Sequence, residues 1–481
     1  MRFTVSEIAR ATGARVLLSG EEGALITSLA WDSREVAEGA LFAALPGERV
    51  DGHDFVARSC AAGARCALAS RELPEADLAA VRESGAALLL VDDVATAISE
   101  LARAWRSRLS GRVIGLTGSN GKTTTKNLVR DVLSRAGSVV ATKGNRNNEL
   151  GVPATLLSAD ADTDFVVVEM GMRGRGQIAA LCDFVRPEWG VVTQLGESHI
   201  ELLGSRENIA RAKAELIEAL PEGGVAFLND ACELADFAWD VAGGDASGVT
   251  RVRFDGASGE SSESGPRVWA SDVSLDDEGR VSFTLRASGF PDGRDHAAHV
   301  ALRLSGLHNA SNACAAAAVG LYAGMPLDEV VSALESAQPE SGRQEALVAR
   351  NGMVVINDAY NANPDSMRCA LQTFAARRVR GARIAVLGDM GELGDFAAEG
   401  HREMGRLVAA LGIDELIAVG RLGALIADAA LAAGMPASRI VRTENAEEAL
   451  QEVNKRASSA DAVLVKASHS VGLERVVEGL V

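Results

Sequence analysis

Basic side chains are in deficit. Lys and Arg number 48 against 66 Asp and Glu, for a formal net charge of −18. A nucleic-acid binder carries a basic face to offset phosphate, so that class is excluded. Anionic small molecules are not excluded, because a few placed cations hold phosphates inside an acidic protein. Paired cysteines are also missing. Cys60, Cys66, Cys182, Cys232, Cys314 and Cys369 are scattered singly with no CxxC pair. That removes a disulfide framework and a cysteine zinc site, and it fits a reducing cytoplasm. Long apolar runs are absent too: the longest, such as residues 86–91, are too short to span a bilayer. The opening segment MRFTVSEIARATGARVLL has neither the apolar stretch nor the small-residue cleavage site of a signal peptide. No repeat of solenoid period occurs. The expectation is a cytoplasmic monomer acting on small molecules, with no transmembrane segment.

What is present is length and alternation. A chain of 481 residues exceeds one typical core and predicts about three domains. Residues 1 to 105 mix short strands and helices. Val113-Ile114-Gly115-Leu116, Phe165-Val166-Val167-Val168 and Gly190-Val191-Val192-Thr193 then read as buried strands, with a helix over 123–136 after the first. Such runs alternating with helices indicate a parallel sheet. Residues 243–266 are rich in Gly, Ser and Asp and read as a surface loop. Residues 268–303 alternate as antiparallel hairpins do, and an Ala-rich buried helix spans 309–323. A composition shift near 339–342 marks a boundary. Beyond it, the runs 354–356, 384–387, 416–419 and 462–465 form a second α/β unit with a parallel sheet. The predicted division is 1–108, 109–338 and 339–481.

The strongest local signal is Gly115-Leu116-Thr117-Gly118-Ser119-Asn120-Gly121-Lys122-Thr123-Thr124. Leu116 stands where the strict GxxxxGK[ST] pattern has its first glycine, but the strand–turn–helix context matches. Gly118, Ser119, Asn120 and Gly121 let the backbone wrap a phosphate with N–H groups inward. Lys122 neutralises phosphate oxygens, and the Thr123 hydroxyl is available to Mg²⁺. A Gly-rich turn that merely starts a helix is the plainer alternative, and Gly-Lys-Thr directly after a buried strand argues against it. Glu169 ends the strand 165–168, and ligands of an open parallel sheet gather at carboxyl ends, so it is a natural Mg²⁺ ligand. His199 closely follows the strand 190–193, and by itself reads as a surface-loop histidine.

Lys213 is ambiguous. Ser205 caps a helix running through Ile209, Ala212, Leu216 and Leu220. At 100° per residue Lys213 falls inside that apolar stripe. Either it snorkels with its head in water, or it is a functional lysine whose pKa desolvation lowers. Spacing leaves both open.

Taken together, GLTGSNGKTT, the VVVEMG strand, a histidine after the next strand and a lysine 14 residues later resemble the Mur ligase family. The resemblance implies a three-domain α/β architecture, with a central P-loop ATPase parallel sheet and a C-terminal Rossmann-like domain. It implies ATP on residues 118–124, Mg²⁺ near Thr123, Glu169 and His199, and a Lys213 carbamylated so that it helps organise metal. Lys122, His199, Lys213 and Asn148 are the catalytic residues so implied.

Further segments resemble family motifs. Asp32-Ser33-Arg34 and Asp51-Gly52-His53-Asp54-Phe55 look like the N-terminal domain that holds the UDP end of the substrate, through Ser33, Arg34, Asp51 and His53. Asn145 to Pro153 resembles the loop of the members that add D-alanyl-D-alanine. Gly306-Leu307-His308-Asn309-Ala310-Ser311-Asn312 matches a segment whose asparagines, Asn309 and Asn312, contact adenine. Gly342-Arg343 matches an arginine near the ATP phosphates, and Asp358 joins the nucleotide site. Asp358-Ala359-Tyr360-Asn361-Ala362-Asn363-Pro364-Asp365-Ser366-Met367 and Leu387-Gly388-Asp389-Met390-Gly391-Glu392-Leu393-Gly394 match the same D-alanyl-D-alanine-adding members. Tyr360, Asn361, Asn363, Lys466 and Ser468 are then substrate-binding. Lys466-Ala467-Ser468-His469 departs from the family's usual Lys-Gly-Ser-Arg, and His469 lacks a permanent cation.

The implied activity is ATP-dependent ligation of D-alanyl-D-alanine to a UDP-N-acetylmuramoyl-tripeptide through an acyl phosphate. The diaminopimelate- or lysine-adding members are disfavoured by the absence of their DNPR stretch. Folylpolyglutamate synthase lacks such an N-terminal domain. A non-catalytic P-loop module is opposed by the presence of Lys122, Glu169, His199 and Lys213 together.

Overall fold

Among the described residues the chain builds three large β-sheets, flanked by helices and joined in series, and a two-stranded one that pairs Phe3–Thr4 with Leu25–Ile26. A computed structural model describes residues 1–47, 50–256 and 265–481. Strands Arg15–Ser19, Ala87–Leu90, Ala64–Ala69, Ala40–Ala43 and Ser28–Ala30 lie side by side in that order, parallel except for the first pair. The N-terminal unit is fastened to the central one. The Met1 ammonium donates to the carbonyls of Leu157 and Ala159 at 3.0 and 3.1 Å. The helix Val94–Arg106 packs on Gly151–Ser158 and Gln177–Val185 through Leu101 and Trp105.

Among the described residues the central sheet has nine strands. Third from one edge is Arg112–Thr117, flanked by Phe165–Glu169 on one side and Trp189–Val192 on the other, all parallel. Both neighbours are continuous apolar runs because both sheet faces are covered. The chain leaves Arg112–Thr117 for the edge strand Val139–Ala141 and returns through Phe165–Glu169 before crossing to Trp189–Val192. That reversal opens a crevice at the carboxyl ends, where Thr117, Glu169 and Thr193 converge.

Residues 243–266 differ from the expected loop. Thr250–Asp255 is an inner strand, parallel to Val225–Asn229 and to Arg267–Leu275, and it buries Val252 and Phe254. Its apolar pattern is only two residues deep and is masked by the polar composition around it; residues 257–264 lie outside the described residues. The antiparallel pairs expected over 268–303 are present, as Arg267–Leu275, Arg280–Ser288 and His296–Ser305. They extend the same sheet rather than forming a separate layer. The Ala-rich helix runs His308–Tyr322 and is buried along nearly its whole length.

The third sheet orders Glu345–Val348, Val354–Asn357, Ala462–Lys466, Arg383–Leu387, Glu415–Val419 and Ile440–Thr443, with only the first pair antiparallel. Its carboxyl ends carry the segments 358–367, 388–394 and 466–469, and these face the central crevice. Among the described residues no helix is long and apolar enough to cross a membrane.

Candidate active site

The crevice is a cleft of about 1630 Å³ between the central and C-terminal units. Its floor is the turn 118–121 and the start of the helix Lys122–Leu133. Two glycines are required there by space. Gly121 has φ 79°, and a Cβ on it would lie 2.5 Å from Oδ1 of Asn312; one on Gly118 would lie 1.9 Å from Oγ1 of Thr193. Lys122 arches back over the turn, its Nζ donating to the carbonyls of Gly118 (2.7 Å) and Ser119 (3.2 Å). Burial lowers its pKa, partly opposed by Glu169. An incoming phosphate can replace those carbonyls as the partner of the ammonium.

Glu169 is buried, and one of its oxygens is well provided for. Oε1 accepts from Asn147 Nδ2 (2.8 Å) and Thr123 Oγ1 (3.3 Å). Oε2 has no hydrogen bond, and the nearest cation is Lys126 Nζ at 3.6 Å. A buried anionic oxygen without a donor, next to a threonine hydroxyl, is the donor chemistry of a hard divalent cation such as Mg²⁺. Among the described residues no three His, Cys, Asp or Glu side chains cluster as a metal cage. Mg²⁺ in such sites is held by one or two carboxylates plus phosphates, so a cage is not needed. Of the four metal-linked residues, Thr123 and Glu169 come together. His199 instead sits at the cleft wall with Nδ1 2.6 Å from Oε2 of Glu392.

Lys213 lies behind the floor and does not line the cleft. Ser205 caps its helix by accepting from Asn208 N–H (3.2 Å). The lysine is 2% exposed, so it does not snorkel. Burial, then the neighbouring Lys122, pull its pKa well below the ordinary lysine value.

The remaining walls come from both units. Asn309 and Asn312 are buried and bonded to each other (2.8 Å), and Asn312 accepts from Thr125 Oγ1 (3.1 Å). Arg343 donates to Thr123 Oγ1 (3.0 Å) and stacks 4.1 Å from the Tyr360 ring centroid. Asp358 and Lys466 form a buried pair at 2.8 Å, and Lys466 Nζ also donates to Asn361 O (2.9 Å). Burial raises the Asp358 pKa, and Lys466 offsets this. Asn363 caps the helix Pro364–Ala376 while its Nδ2 donates to Asn120 Oδ1 (2.8 Å) and Ser198 Oγ (2.9 Å). Ser468 Oγ accepts from Gly391 N–H (2.7 Å) and donates to Ala362 O (3.2 Å), tying two cleft loops together. Thr124 and Asn148 line the cleft, and Asn148 Oδ1 accepts from Gly151 N–H (3.0 Å) at the head of its helix.

Ser33, Arg34, Asp51 and His53 are in the N-terminal unit and do not line this cleft. Arg34 is exposed and bonded to Asp32, which holds that carboxyl down to about 2. His53 is buried with both ring nitrogens engaged, Nδ1 with Asp51 (2.6 Å) and Nε2 accepting from Ser70 N–H (2.9 Å). His53 thereby holds the turn 51–54 beside Asp51. Arg146 links the two regions, 3.7 Å from Glu35 and over the Trp31 ring. Sequence reading assigned no role to Lys126, Asn147, Ser198, Arg173 or Glu392, although Asn147 and Glu392 lie in segments that match family motifs. Lys126 had a local signal, four residues after Lys122 on one helix face; the others meet the site only through loops.

A phosphate cradle at a sheet switch point, opposite a buried carboxylate and covered by a second parallel-sheet unit, defines a P-loop enzyme that acts between domains. Comparison with known proteins carries this further. Sequence models of the Mur ligase family match residues 25–106 (catalytic domain), 116–320 (middle domain) and 342–469 (glutamate ligase domain). The UDP-N-acetylmuramoyl-tripeptide--D-alanyl-D-alanine ligase of Bacillus subtilis is 36% identical over 100% of this chain and 99% of its own. That of Mycobacterium tuberculosis is 39% identical over 100% and 98%. A crystal structure of MurF from Acinetobacter baumannii superposes with TM-score 0.82 at 30% identity, covering 99% and 98% of the two chains. MurF of Thermotoga maritima in complex with ADP gives 0.74 at 27%, covering 94% and 96%. The chain belongs to the Mur ligase family.

Proposed function

We propose that this protein joins D-alanyl-D-alanine to UDP-N-acetylmuramoyl-tripeptide at the expense of ATP, in peptidoglycan precursor synthesis. The observation that carries the reading is the cleft itself. It brings the P-loop of one unit against segments 358–367 and 388–394 of the other, and the full-length relatives named above are ligases of that specificity.

A carboxylate does not condense usefully with an amine in water. The tripeptide carboxylate therefore attacks the γ-phosphorus of ATP to give an acyl phosphate and ADP. The dipeptide amine then adds to the acyl carbon, and the tetrahedral intermediate expels phosphate. Positioning and electrostatics do most of the work in phosphoryl transfer. We assign residues 118–124 to the ATP phosphates, with Lys122 and Arg343 placed to spread charge on the transferred group. Asn309, Asn312 and Asp358 line the nucleotide end. Thr123 and Glu169 would hold Mg²⁺, with His199 nearby, and the ion would supply charge neutralisation at the phosphoryl oxygens. Lys213, buried and with its pKa pulled down by that burial, is suited to take up CO₂ as a carbamate. That replaces a repelling cation with a carboxylate-like group on the metal side of Lys122. Asn148 is placed at the reacting end.

Tyr360, Asn361, Asn363, Lys466 and Ser468 form the dipeptide side. Ser33 and Arg34, with the turn 51–54, receive the UDP end, and Arg146 relates that region to the cleft. The three functional domains are 1–108, 109–338 and 339–481. Closure of the last over the cleft excludes water that would hydrolyse the acyl phosphate. We place the protein in the cytoplasm, where ATP is available, as a monomer.

The test is phosphate release with purified substrates. Release should require the tripeptide precursor, ATP and D-alanyl-D-alanine together. Release with the dipeptide precursor and free lysine or diaminopimelate instead would assign the chain to the tripeptide-forming reaction. No release with any acceptor would leave a nucleotide-binding module.

A further inference from the structure

Two residues of the cleft wall hold a left-handed backbone that side-chain-bearing residues rarely adopt, and they meet each other. Among the described residues five non-glycine positions have positive φ, and His199 (64°) and Glu392 (59°) are two of them. Such conformations persist where the surroundings over-determine them, and they gather at active sites and clamps. His199 belongs to the central unit and Glu392 to the C-terminal unit, with Nδ1 and Oε2 2.6 Å apart.

The loop that carries Glu392 is pinned from behind. Met390 N–H donates to Nε2 of the fully buried His401 (2.8 Å), and Gly391 N–H donates to Oγ of Ser468 (2.7 Å). The other nitrogen of His401 contacts Ala397 O at 2.6 Å, which fixes its tautomer. Glu392 is thus aimed across the junction by its own domain's framework. Arg173, also of the central unit, lies 3.8 Å from Oε1.

A histidine that ligates metal through one ring nitrogen commonly has the other held by a carboxylate, which sets tautomer and ring orientation. Nδ1 and Oε2 form a close ion pair without the alignment of a hydrogen bond, and a turn of the ring that aims the Nδ1 proton at Glu392 leaves Nε2 as the lone-pair nitrogen. We propose that Glu392 is a positioning residue for His199: a carboxylate supplied from the C-terminal domain orients the histidine at the phosphate end of the cleft. The inference rests on the reading of His199 as a metal-site residue. Its consequence is that the site is completed only when the C-terminal domain is docked, so phosphoryl transfer waits for the domain that brings the attacking dipeptide.

The experiment measures Mn²⁺ affinity by electron paramagnetic resonance with a non-hydrolysable ATP analogue bound. Binding of that analogue without metal is measured in parallel. Glu392→Gln should weaken Mn²⁺ by about 10- to 100-fold, the usual effect of removing such an outer partner, and leave metal-free analogue binding unchanged. Glu392→Asp should recover most of the loss. The ¹⁵N–¹H correlations of His199 should show the Nδ1-protonated tautomer in the parent protein and a mixture in Glu392→Gln. If His199→Ala loses Mn²⁺ affinity while Glu392→Gln keeps it, the proposal fails and the metal role of His199 stands. If His199→Ala binds Mn²⁺ as the parent does, both fail. Equal losses of metal and analogue binding in both Glu392 variants would mark a merely structural contact and overturn the proposal.

Discussion

Replacing Lys213 by methionine should make the protein more stable and inactive at once. The side chain is 2% exposed, makes no hydrogen bond among the described residues, and has another cation, Lys122, as its electrostatic neighbour. Burial and that neighbour hold the folded-state pKa well below the lysine value of 10.5. The unfolded chain therefore binds a proton here that the native chain does not, at every pH between the two values. Stability then rises with pH through this window, by about 1.4 kcal/mol per unit for one proton. Equivalently, the lysine's penalty grows as pH falls from 10.5 and levels off below the folded-state value.

Methionine fills a similar volume and does not titrate. Its stability advantage over the parent should be largest at low pH and shrink as pH rises, by roughly 2.7 kcal/mol over two units inside the window. The assay is denaturant unfolding in CO₂-free buffer at a series of pH values, followed by tryptophan fluorescence, with Trp189 in the central sheet as reporter. Added bicarbonate should stabilise the parent and not the variant, because only a lysine forms a carbamate. Parallel pH profiles for the two proteins would refute the reasoning, since Lys213 would then be charged in the native state. In activity assays Lys213→Ala should lose most turnover and regain part with added short-chain carboxylates, whereas Lys213→Arg should not work.

Lys122→Ala should abolish phosphate release while circular dichroism and melting stay near the parent, because the lysine's bonds are to two loop carbonyls and not to the core. Lys466→Met should strand the buried Asp358 carboxylate and cost about 3–5 kcal/mol, seen as a lowered melting temperature in calorimetry. Asn363→Ala should cost about 1 kcal/mol as a lost helix cap. It should also remove the bonds to Asn120 and Ser198, so small-angle scattering should show a larger radius of gyration, and KM for the dipeptide should rise more than KM for ATP.

The local grammar of this protein is written in its sequence. The apolar run before Gly118, the glycines and the Gly-Lys-Thr step specify strand, turn and helix from neighbouring residues, and the structure has them as Arg112–Thr117, the turn, and Lys122–Leu133. Lys213 was legible as far as its helix: Ser205 and the apolar stripe predict its face by periodicity. Whether that face admits water depends on what packs over it, and only the tertiary structure decided that it does not. The strand Thr250–Asp255 was hidden because two buried residues in a polar stretch carry little periodic signal, and its place comes from pairing with Val225–Asn229. The contacts that finish the site lie beyond sequence reading for a different reason. His199 and Glu392 are 193 positions apart, and each alone resembles a loop residue. Lys126 reads as a helix surface until Glu169 is folded beside it, and nothing in the sequence around His53 foretells that Ser70 meets its ring. Periodicity and turn chemistry act between near neighbours in the chain. Burial, pairing and domain docking act between surfaces that meet only once the chain has folded.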